Sequence, residues 1–130
     1  PFVYQGCQIQ QGQLKASVGS ANWIVGAEGG ILTMKITVEN NAGCDANLRS
    51  LRFAINRLIY FDNSSEDVDL VDEQAIFQTV RGGETLEMNY AFSQPFSEAP
   101  RAILAKIVLV LEGGSSLQVF DGQIQTLPSE

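Results

Sequence analysis

The chain has 130 residues, 45% of them apolar and 18% charged, the length and composition of one folded domain and not of a disordered segment. Its 8 basic and 15 acidic residues leave a net charge of −7, which argues against nucleic acid as a partner because phosphate binding needs a cationic footprint. The longest apolar run is Ile107 to Leu111, far short of the ~20 residues that cross a bilayer as a helix, so no membrane insertion is expected.

Period-two alternation dominates. Strands are expected at 2–10 and 13–19, the two together forming one bent edge strand. Five glutamines fall in this stretch (Gln5, Gln8, Gln10, Gln11 and Gln13), and no charge precedes Lys15. Such a strand is either an ordinary polar face or a surface for strand pairing. Trp23 follows, in a segment read as preceding the next strand; its large ring predicts a core or loop-anchoring role.

Over 31–39, Leu32, Met34, Ile36 and Val38 alternate with polar residues, the mark of a half-buried antiparallel strand. A turn at Asn40-Asn41-Ala42-Gly43 leads to 48–55, where Leu51, Phe53 and Ile55 share one face. Continuing that parity would bury Arg57, and an unpaired buried charge is very costly. A bulge or break near Asn56-Arg57 is therefore predicted, shifting the register by one. Leu58 and Tyr60 then point inward over 57–61. Ile59 and Phe61 face outward near Arg52, an interface-like composition, and these three residues are the expected partner-binding set.

From Asp62 to Glu73 runs a stretch of six acids without a base, read as a solvated acidic loop that lacks calcium-loop spacing. Strands at 74–80 and 84–92 follow, joined at Gly82-Gly83, with Met88 in the core. Pro95 and Pro100 bracket a loop. The segment 102–111 is apolar on nearly both parities and rich in β-branched residues, so it reads as a central strand with Leu109 in the core. Gly113-Gly114-Ser115-Ser116 turns it into a last strand at 117–125. The expected fold is all-β: one immunoglobulin-like antiparallel β-sandwich of seven to eight strands over residues 1–130, with a small barrel as the runner-up.

The sequence contains no histidine, which removes the usual base at neutral pH and the commonest metal ligand. It has no phosphate-cradling glycine loop and no dinucleotide fingerprint. No catalytic residue, metal site or cofactor is therefore expected; a pair of converging carboxylates is the arrangement that sequence alone does not reveal. Cys7 and Cys44 do not match the antibody-type disulfide spacing and are read as two free thiols of a cytoplasmic protein. No basic and apolar leader precedes the domain, so Pro1 reads as a mature start. Asn63-Ser64-Ser65 matches the glycosylation acceptor pattern, which chance also produces.

Gln13 to Val18, Trp23 to Gly26, Leu32 to Val38 running into Glu39-Asn40-Asn41, Val80 to Glu84, and the paired end strands closing at Gln125-Thr126-Leu127-Pro128 resemble, in that order, the C-terminal lobe of arrestin/Vps26-like proteins. The resemblance implies the sandwich fold and an adaptor role, with a protein partner or self-association. It carries over no functional residue. The same domain read without the resemblance fits a structural subunit of a virion or filament. A carbohydrate-binding module would need exposed aromatics, for which Trp23, Tyr4, Tyr60 and Tyr90 are the candidates.

Overall fold

The structure is a computed structural model that describes residues 9–19, 21–26, 29–94 and 100–128. They form eight strands and no helix: β1 (Leu14–Val18), β2 (Ala21–Gly26), β3 (Gly29–Asn40), β4 (Ala46–Ile59), β5 (Ser65–Val80), β6 (Thr85–Gln94), β7 (Ala102–Leu111) and β8 (Ser116–Pro128). No helix among the described residues is long and apolar enough to cross a membrane.

The strand order is β1-β3-β2-β8-β7-β4-β5, and β6 pairs with β3. All ladders are antiparallel except β2 with β8, where Ala21, Asn22 and Trp23 run parallel to Thr126, Leu127 and Pro128. That short ladder joins the part of the sheet around β3 to the part around β7. The inward residues of both parts enter one core. Leu32, Ile36 and Val38 of β3 meet Leu51, Phe53, Ile55 and Leu58 of β4 and Ile107 and Leu109 of β7. The Phe53 ring lies between two aromatics of β6, 5.3 Å from the Tyr90 centroid and 5.7 Å from that of Phe92.

β7 is central, as its apolar composition requires: it lies between β4 and β8, and Leu109 is fully buried. Met88 is only partly buried, packed against the core from β6. The predicted slip also occurs. The register of β4 shifts between Ile55 and Arg57 against both β5 and β7. Arg57 stays at the surface and Leu58 takes the core position. The slip leaves one continuous strand over 46–59, where two had been expected.

Three expectations are corrected. The segment around Trp23 is strand β2, and the indole is buried at 2% exposure between β3 and the end of β8. The acidic stretch is not a loop: β5 begins at Ser65, because its acids alternate with Val68 and Leu70, which cover the core. Cys44 is not a free thiol but disulfide-bonded. The chain's other cysteine, Cys7, lies outside the described residues, as do Tyr4, Gln5, Gln8 and residues 95–99 of the segment expected to be a loop.

The turn after β3 is held by a buried amide. Asn40 Nδ2 donates to the carbonyls of Cys44 and Val80, each at 2.9 Å, and Asn40 Oδ1 accepts from the Ala42 amide at 2.9 Å. The glycine turn after β5 packs against that corner. A Cβ on Gly82 would lie 3.0 Å from the Cys44 nitrogen and 3.1 Å from the Ala42 oxygen, which backbone cannot easily vacate. The Asn-Asn and Gly-Gly signals thus belong to one corner.

Candidate interaction site

A sheet leaves backbone hydrogen-bonding groups open at each edge unless something covers them. The edge of β8 away from β7 is met at both ends: β2 pairs with its last three residues, and Gln11 docks near its start, where Gln11 Nε2 donates to the Gln118 carbonyl at 2.6 Å and Gln11 Oε1 accepts from the Gln118 amide at 3.2 Å. A glutamine of the sticky N-terminal stretch is thus satisfied within the chain. β5, like β1 and β6, pairs with one strand only among the described residues, in its case β4, and it is the longest of the three. Toward the interior, side chains tie it to β6. Tyr90 donates its hydroxyl to Asp72 Oδ2, and Gln74 Nε2 donates to the Ala91 carbonyl at 2.8 Å and to Asp72 Oδ2 at 2.9 Å. Burial, and then the Asp72 carboxylate, push the Tyr90 hydroxyl's ionisation well above the ordinary tyrosine range.

The other face of β5 points outward and carries Asp67, Asp69, Val71 and Glu73. Two of these acids pair across the ladder with arginines of β4: Glu73 Oε1 lies 2.9 Å from Arg52 Nη2, and Asp67 Oδ1 lies 2.7 Å from Arg57 Nε. Both pairs are about half exposed or more, so each contributes less than about 1 kcal/mol. Glu66 accepts from the Tyr60 hydroxyl at 3.0 Å. In the turn before β5, Asp62 accepts from the Ser64 hydroxyl and amide, which hold its carboxyl below the usual range. The acids are thus distributed among separate partners. No group of three or more Cys, Asp or Glu among the described residues is placed to hold a metal ion.

Two large apolar residues stand in solvent on β5. Val71 is 55% exposed and Phe77 is 70% exposed. Phe77 also has φ of +45°, in the left-handed region that costs a bulky residue about 1–2 kcal/mol. The cause is a second bulge. Leu48 pairs with Gln78 and Ser50 with Ala75, so Ile76 and Phe77 together face Arg49. Ile76 turns to the core and the Phe77 ring is left outside.

The expected site residues do not converge. Arg52 is on the outer face with Glu73. Ile59 faces outward as predicted but is half-buried, paired with Ser65 and Ala102. Phe61 is 62% exposed in the turn after β4. Because β4 is one extended strand, Ile59 lies more than about 20 Å along it from Arg52. Val71 and Phe77 escaped the sequence reading because their segment was divided into a loop and a short strand. The alternation of Val68, Leu70, Gln74 and Ile76 was the signal for a longer one. Trp23 and Tyr90 are buried at 2% and 4% exposure, so neither offers a sugar-stacking face.

No protein-family model matches the chain, and no curated protein matches it. Its fold is similar to that of several solved structures. A Northeast Structural Genomics Consortium target, SoR45, aligns with a TM-score of 0.60 at 11% identity over 91% of this chain and 90% of that one. The ApaA protein of Bordetella pertussis aligns with a TM-score of 0.54 at 12% identity over 92% and 98% of the two chains. The sporulation control protein Spo0M of Bacillus subtilis aligns with a TM-score of 0.51 at 14% identity, over 92% of this chain and 51% of its own. These likenesses are likenesses of fold.

Proposed function

We propose that this chain is a non-enzymatic protein–protein interaction module built on an immunoglobulin-like sandwich, and that it binds through β5. The observation that carries this reading is the uncovered edge of β5 with Val71 and Phe77 in solvent beside it. Large apolar side chains at an open edge are a liability in a lone domain and an asset in a bound one. The arrestin-type adaptor role rests on the sequence resemblance alone. The disulfide at Cys44 supports an oxidising compartment in place of the cytoplasmic location expected from the sequence.

A photo-crosslinking residue in place of Phe77, compared with one in place of Glu112, tests the reading in the protein's native source. A discrete adduct with another protein at position 77 and none at 112 is the expected result. Adducts at 112 alone contradict it. Light scattering separates the structural-subunit alternative: the module is a species near 14.1 kDa, whereas a virion or filament subunit forms a large ring or polymer.

A further inference from the structure

We infer, building on the interaction-module reading, that the open edge of β5 takes an extended cationic segment of another protein as an added strand. β5 runs for 16 residues and among the described residues pairs on one side only, so its far side presents a row of backbone donors and acceptors. Pairing on β5 is irregular at two places, at Val68 and Asp69 opposite Asn56 and at Ile76 and Phe77 opposite Arg49, which confines a regularly paired added strand to the stretch from Leu70 to Ala75. Val71 and Phe77 supply apolar contact in and beyond that stretch.

Charge decides what the added strand is. β5 carries five acids (Glu66, Asp67, Asp69, Asp72 and Glu73) and no base. Arg57 and Arg52 engage Asp67 and Glu73 from the β4 side. Among the described residues, Asp69 has no ion-pair partner. A second copy pairing β5 with β5 would set carboxylates against carboxylates, and like charges across a ladder are destabilising. A strand with lysine or arginine at alternate positions meets the same carboxylates favourably. The charges that oppose self-pairing thereby select the partner.

The test is a titration of the ¹⁵N-labelled chain with an acetylated ten-residue peptide alternating lysine and valine. Shifts should concentrate between Leu70 and Ala75, with slowed amide exchange there. Glutamate in place of lysine should weaken binding at least about tenfold. N-methylation of every peptide amide should abolish binding while leaving the charge unchanged, and Asp69→Lys should weaken it several-fold. Equal binding by the methylated peptide overturns strand addition, as does the absence of shifts along β5 at millimolar peptide. Shifts confined to strands other than β5 overturn it too, whereas the interaction-module reading is decided separately by the adduct at position 77. Dimerisation of the chain through β5 overturns the choice of a foreign strand.

Discussion

Tyr90 on β6 donates its hydroxyl to Asp72 on β5, a bond between two strands that share no ladder. β6 pairs only with β3, and β5 only with β4, among the described residues. Where β2 and β8 join the two parts of the sheet by backbone pairing, β5 and β6 do so by side chains. This leaves the backbone of β5 available.

That bond predicts a stability loss in alkali. Burial and Asp72 raise the folded-state ionisation of Tyr90 above that of the unfolded chain, so the native state holds the proton more tightly. The contribution is complete below about pH 10, the ordinary tyrosine value, and falls as pH rises beyond it. Absorbance at 295 nm should show Tyr90 ionising only as circular dichroism reports unfolding. Ionisation of all three tyrosines with the fold intact would contradict the buried bond.

Asn40 should be among the most sensitive polar positions. It is fully buried, and its amide satisfies two carbonyls and one amide hydrogen of the corner. Asn40→Ala should cost on the order of 3 kcal/mol, since buried groups left unpaired cost about 1–3 kcal/mol each. Asn40→Asp should also destabilise, because a carboxylate does not donate to Val80 and Cys44. An unchanged denaturation midpoint in either variant would remove the corner from the account.

Leu109→Ala should cost about 2–5 kcal/mol, the range for a fully buried leucine. Urea denaturation measures it. Met88→Ala should cost distinctly less, because Met88 is only partly buried.

Phe77→Gly should leave stability within about 1 kcal/mol of the parent, because relief of the left-handed backbone offsets glycine's entropy and the ring buries little. A fall in melting temperature of several degrees would place the ring in the fold and take it out of the interface.

The parts of the fold governed by a local apolar pattern were legible in the sequence. β7 was placed to the residue, and the slip at Arg57 followed from one rule, that a lone charge avoids the core. What was hidden depended on partners distant in sequence. Trp23 is in a strand because Leu32 and Pro128 flank it, and no local pattern in six residues announces that. The acids of β5 resembled a loop because sequence shows charge density before it shows which arginine lies opposite. The proximity of Ile59 to Arg52 failed because the bulge leaves β4 one extended strand that holds the two residues far apart.

Native-state amide exchange along β5 tests the central claim most directly. In an antiparallel ladder, alternate amides bond to the neighbouring strand and the others point away. With β4 on one side and solvent on the other, amides from Leu70 to Ala75, between the two bulges, should alternate between slow and fast exchange in the isolated chain. Uniform protection of both sets would mean that the edge is already covered, and would contradict β5 as a binding edge.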